Sequence, residues 1–187
     1  MKQSKLFMCL LGCTPKGRNI EQHDIFFGIG QTLKELVPAI IQFWPEAEGR
    51  IHIDGWREVT NVDGYNVQVV AKAESIQNAI PEKLFFLNLG GYKENEFEEF
   101  HYKMLVVTDN KGEAVKQAKQ TAFYKHTGFE GAESHVDDRY GIDVDDVYEI
   151  SDILPVHLKE QYAIQLAKQS TVQEDNLYLG YFKLSKL

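Results

Sequence analysis

The chain holds only two cysteines, Cys9 and Cys13, and no run of eighteen apolar residues. Two cysteines four positions apart, on a strand and its following loop, read as a buried filler and a loop residue rather than a disulfide or a metal pair. The lack of a long apolar run excludes a membrane-spanning helix. No basic stripe is present to neutralise phosphates, so nucleic acid is not the partner. The chain has no G-x-S-x-G, no P-loop and no H-E-x-x-H, and these missing motifs remove three common routes to an activity. Gly28-x-Gly30 precedes a helical stretch but lacks the third glycine of a dinucleotide fingerprint.

What is present is the balance of a soluble globular protein: 43% hydrophobic and 12% aromatic residues over 187 positions, enough for one large domain or two small ones. The net charge is −8, and it is concentrated. Between Glu130 and Asp152 there are nine acidic residues and one basic residue, Arg139, while the rest of the chain is neutral overall. The run from Asp137 to Asp146 lacks the D-x-D-x-D-G order of a calcium loop and reads as a solvated acidic surface.

The chain repeats itself. Glu21-Gln22-His23 returns 78 positions later as Glu99-Phe100-His101. Lys83 to Gly91 shares five of nine residues with Lys5 to Cys13. The second of these segments resembles a secretory or lipoprotein leader, but a mid-chain twin points to a folded strand that is not cleaved. Strands are expected at 5–11, 21–29, 50–58 and 65–70 from apolar runs and alternation. A helix is expected after the capping box Thr32/Glu35, kinked at Pro38. The second copy has strands at 83–89 and 99–107 and a capping box Asn110/Glu113 at the same offset. Its helix carries Ala114, Val115, Ala118, Ala122 and Phe123 on one face. The offset then grows to 83, setting His135-Val136-Asp137 against His52-Ile53-Asp54 and Tyr148 against Tyr65, with a last strand at 146–150.

The expected architecture is α+β: two tandem strand-strand-helix-strand-strand repeats about a pseudo-two-fold, with helices on an antiparallel or mixed sheet. Repeat 1 covers 1–70, a linker 71–82, repeat 2 83–152, and a C-terminal extension 153–187 with a short helix from Leu154-Pro155 and an edge strand at 177–184.

The runs Gly17-Arg18-Asn19-Ile20-Glu21-Gln22-His23-Asp24-Ile25-Phe26-Phe27-Gly28 and Phe123-Tyr124-Lys125-His126-Thr127-Gly128 resemble a small bacterial family, domain of unknown function 1543, in its two-copy form. The resemblance implies a soluble bacterial protein and brings no activity with it.

Side chains at i and i+2 of a strand share a face. Glu21 therefore sits with His23, His52 with Asp54, Glu99 with His101, and His135 with Asp137. Imidazole with carboxylate is a usual ligand set for divalent zinc, iron, manganese or nickel, and the same pairs could serve acid–base chemistry. The plainer reading is hydrogen-bonded pairs that hold a turn or a repeat interface. Parity sets a condition. His23 shares its face with Ile25, Phe27 and Ile29, whereas His52 lies opposite Ile51 and Ile53. The two can meet only at a sheet end, or in a sheet covered on both faces. Arg18 and Asn19 are a weaker candidate, for an anion, in what is otherwise a turn. The leading functional expectation is a cytoplasmic, non-catalytic binding or interaction module for a protein or small-molecule partner. The alternative is a metal-dependent enzyme or metal-binding protein using the His and carboxylate clusters.

Overall fold

A computed structural model describes residues 3–75, 81–92, 95–126, 143–170 and 173–187. Along the chain run β1 (Lys5–Cys13), β2 (Gln22–Gly30), α1 (Val37–Phe43), β3 (His52–Glu58), β4 (Asn61–Val62), β5 (Tyr65–Ala71), β6 (Lys83–Tyr92), β7 (Glu99–Thr108), α2 (Lys111–His126), β8 (Asp143–Glu149), α3 (Ile150–Ile153), α4 (Val156–Gln161), β9 (Tyr162–Lys168) and β10 (Tyr178–Lys183). They pack as two units, Met1–Gln77 with Leu154–Leu187, and Asn78–Ile153. The class is α+β with antiparallel sheets. No described helix is long and apolar enough to cross a membrane.

In the first unit a four-stranded sheet has the order β10-β3-β1-β2. The apolar run of β1 is buried on both sides, which is why it does not alternate. Phe7, Cys9, Leu11 and Cys13 face a cluster with Phe26, Ile40 of α1 and Ile53 of β3. Leu6, and Phe27 and Ile29 of β2, point the other way and are buried as well. Each fully buried aliphatic or aromatic side chain contributes about 1.5–3 kcal/mol, so this layer holds β1, β2 and β3 in register. A second sheet, β4-β5-β9, completes the unit.

Among the described residues the second unit has one three-stranded sheet, β7-β6-β8. Ala114 and Ala118 of α2 pack on Phe85, Leu87, Leu89 and Val106. Its N-terminus is capped as expected, with Asn110 Oδ1 accepting from Glu113 N at 3.0 Å. Asn110→Ala is expected to cost about 1 kcal/mol, read as a lower urea midpoint at unchanged slope. A midpoint equal to wild type would mean the cap contributes nothing.

Several expectations change. Pro38 does not kink a helix. A 3-10 turn over Leu33–Leu36 comes first, and α1 starts behind it with Pro38 in its first turn, where a missing N–H costs nothing. Thr32 makes no side-chain cap, and Glu35 instead accepts from Gln31 N at 2.8 Å. The last strand of the second unit is β8, from 143 rather than 146, and Ile150 opens α3. Tyr148 pairs with Phe86 as Arg57 pairs with Met8, so its counterpart is Arg57 and not Tyr65. β9 was not anticipated. It follows α4 with no intervening Gly, Pro or turn signal, and it is a strand because β5 pairs with it along its whole length, from Ala71↔Tyr162 to Tyr65↔Lys168.

Candidate metal site

Gly12 is the hub of the first unit's site. Across the sheet it pairs with His23 on one side and with His52 on the other, and paired residues of antiparallel strands share a face. His23 and His52 thus flank a residue with no side chain. The register then slips: Leu10 pairs with Gly55 and Leu11 with Ile53, leaving Asp54 over as a bulge. A bulge re-aims a side chain, and here the Asp54 carboxylate reaches over Gly12. A Cβ built on Gly12 would lie 2.4 Å from Asp54 Oδ2 and 2.5 Å from His52 Nε2.

Glu21, just before β2, closes the group. His52 Nε2 lies 3.2 Å from Glu21 Oε1 and 3.1 Å from Asp54 Oδ1. His23 Nε2 lies 3.2 Å from Asp54 Oδ2 and 3.7 Å from Glu21 Oε2. Each carboxylate therefore offers one oxygen to each imidazole. Asp54 Oδ2 is buried and has no hydrogen-bond partner, with His23 Nε2 as its ion-pair neighbour. Leaving such an oxygen unsatisfied costs about 1–3 kcal/mol. His52 is 5% exposed and lies under Tyr181 of β10, with ring centroids 4.1 Å apart and planes tilted 32°. His23 and Glu21 are open to solvent on the other side, at 44% and 42% side-chain exposure. The group is buried on the His52 side and wet at its other edge.

The parity condition is met in both its forms. The sheet is covered on both faces, and the group sits at its end. The bulge lets His52 and Asp54 meet Glu21 and His23.

Cys13 neighbours Glu21 but belongs to the opposite face, in the cluster with α1. Burial pushes its thiol up, Arg50 offsets part of this, and Glu21 adds to it. Burial pushes Cys9 up to about 12. Both are free, buried, protonated thiols, packing groups and not ligands. Arg18 and Asn19 lie in the exposed turn between β1 and β2, with Arg18 N donating to Pro15 O at 3.2 Å.

In the second unit Glu99, His101 and Asp145 come together. His101 Nε2 is 3.6 Å from Asp145 Oδ2 and 4.0 Å from Glu99 Oε2. His135 and Asp137 lie outside the described residues. The strand register gives their expected place to other residues. Asn88 pairs with Asp146 and Leu89 with Val144, leaving Asp145 as the bulge, and Gly90 pairs with His101 and with Asp143. Asp143-Val144-Asp145 thus stands where His52-Ile53-Asp54 stands in the first unit, at an offset of 91 rather than 83. Sequence reasoning missed Asp145 because two matching letters in His135-Val136-Asp137 outweighed it. The usable signal was Gly12 and Gly90 at the common offset of 78, since a strand glycine marks a close approach.

Residues 18–69 match the family model described as Domain of Unknown Function (DUF1543), a span that contains all four donors of the first site. No curated protein matches the chain. Among solved structures, the crystal structure of a protein, Il1583, from Idiomarina loihiensis is similar in fold, with a TM-score of 0.60 and 24% identity over 97% of each chain.

Proposed function

We propose that this member of the DUF1543 family is a divalent-metal-binding protein whose first unit holds the ion through Glu21, His23, His52 and Asp54. The observation that carries the reading is Asp54 Oδ2, a buried carboxylate oxygen with no hydrogen bond, on a carboxylate whose two oxygens face two imidazoles over a glycine. A cation offsets that cost, whereas a plain hydrogen-bonded pair would have turned a donor toward it. Convergence agrees. One ligand atom each from Glu21, His52 and Asp54 lies within 4.8 Å of the others, and His23 Nε2 stands beside them, 3.2 Å from Asp54 Oδ2. Two imidazoles with two carboxylates suit zinc and its neighbours in the first transition row. Tyr181 over His52 fixes that ring, and the wet edge at His23 and Glu21 gives the ion a way in. The module is a binding protein, and the ion is the ligand this geometry argues for.

We read the second unit as a further copy of the same design. The supports are the strand order with the equivalent of β1 between two neighbours, the bulge that leaves an aspartate over, and the glycine beneath it.

The test is zinc uptake by untagged protein, followed by elemental analysis and thermal unfolding. Zinc at a hundred times its Kd is expected to add about 2.7 kcal/mol to stability. His23→Ala with His52→Ala should remove both the zinc in that site and the shift. A wild-type melting curve that zinc leaves unmoved would refute the assignment. So would a double variant that gains as much from zinc as wild type.

A further inference from the structure

We infer that the second unit carries a separate cation site with a different preference, built from Glu99, His101 and Asp145 over Gly90, for a harder, oxygen-seeking ion of the manganese(II) class. Two independent observations meet there. The first is convergence: the ligand atoms of these three residues lie within 4.8 Å of one another, on two strands on either side of β6. The second is the seat. A Cβ on Gly90 would fall 2.6 Å from Asp145 Oδ2 and 2.9 Å from Oδ1, so the carboxylate leans over the glycine, as Asp54 leans over Gly12.

The difference between the seats sets the preference. In the first unit the residue paired with the glycine on the bulged strand is His52, and in the second it is Asp143. The residues that converge in the second unit include one imidazole, that of His101. The first set is two nitrogens with two carboxylates, and the second is one nitrogen with carboxylates only. Nitrogen-rich sets favour zinc, copper and nickel, while carboxylate and water favour magnesium, calcium and manganese. The lone His101 imidazole tips the choice from magnesium and calcium toward manganese(II). His101, Glu99 and Asp145 are 39%, 41% and 34% exposed at the side chain, so water can complete an octahedral shell. Such a site binds weakly and exchanges fast.

The experiment uses the full chain with manganese(II) as probe, read by the loss of the free-ion electron paramagnetic resonance signal, with and without one equivalent of zinc. The expected result is one bound manganese per chain that persists when zinc is present. Asp145→Asn and His101→Ala should each weaken it at least about tenfold, with circular dichroism unchanged and zinc uptake intact. His52→Ala should leave the manganese signal alone. The inference falls if no manganese binds more tightly than about 1 mM, the weak end of oxygen-ligated sites. It falls as well if zinc displaces the manganese mole for mole, or if Asp145→Asn binds as wild type does. It rests on its own residues. Manganese that binds through Asp145 in a protein that takes up no zinc would overturn the first site and leave this one standing.

Discussion

Gly12→Ala is expected to abolish zinc uptake and to lower stability by about 1–3 kcal/mol, the range for overpacking a well-filled position. On most strands and helices the same change is neutral or favourable by about 0.4–1 kcal/mol, because alanine restricts the unfolded chain. The sign reverses here because of two contacts. The new methyl would sit 2.4 Å from Asp54 Oδ2 and 2.5 Å from His52 Nε2, closer than carbon approaches either atom. One of them has to move. His52 cannot do so cheaply, since it is 5% exposed and held under Tyr181. Asp54 moves only by leaving the donor group. Gly90→Ala supplies the comparison. The atoms it would strike belong to Asp145 alone, a partly exposed carboxylate that can swing into water, so its cost should be smaller. Isothermal titration with zinc and urea unfolding read both quantities. A Gly12→Ala protein that binds zinc normally and melts with wild type would show that the donors do not occupy the space above this residue.

Ile53→Ala is expected to cost about 2–5 kcal/mol, the usual range for emptying a fully buried aliphatic position. Ile53 has no exposed surface and packs in the cluster with Leu11 and Ile40. It also lies between His52 and Asp54, on the opposite side of β3 from the donors. Its side chain clamps the strand at the bulge while the two neighbours face the other way. Zinc affinity should fall together with stability, because a loosened bulge no longer aims Asp54. Ile20 is the control. It is 76% exposed, so Ile20→Ala should stay within about 0.5 kcal/mol of wild type. The measurement is urea unfolding with zinc absent and present. A cost for Ile53→Ala below 1 kcal/mol would mean that β3 is not anchored by this cluster.

Sequence by itself determined the strands that need no partner to be recognised. Lys5 to Cys13 and Lys83 to Gly91 are apolar enough that only a sheet buried on both faces accommodates them. The repeated Glu-x-His triplets, the glycine near the end of each first strand and the Asn110 cap were legible for the same reason: each is a local pattern, and its physics acts within a few residues. His23 was legible as a candidate for that reason too, since its triplet recurs as Glu99-Phe100-His101, whereas His52 was picked by a match to His135 whose place the strand register gives to Asp143.

What only the tertiary structure decided was which residues meet. A β-bulge adds one residue to one strand of a pair. The same letters can be threaded with or without it, so the offset between two related strands cannot be read from matching residues alone. Pairing energy settled it. β8 takes the register in which Val144 pairs with Leu89 and Val147 with Leu87, both buried partners, and this brings Asp145 to the site. β9 is a strand only because β5 needed a neighbour for its backbone N–H and C=O groups. The face that holds Glu21, His23, His52 and Asp54 was likewise settled by a slip of one residue between Leu10 and Leu11. Local preference sets the conformation of a segment, but the partner across the sheet sets its register, and register determines which donors converge.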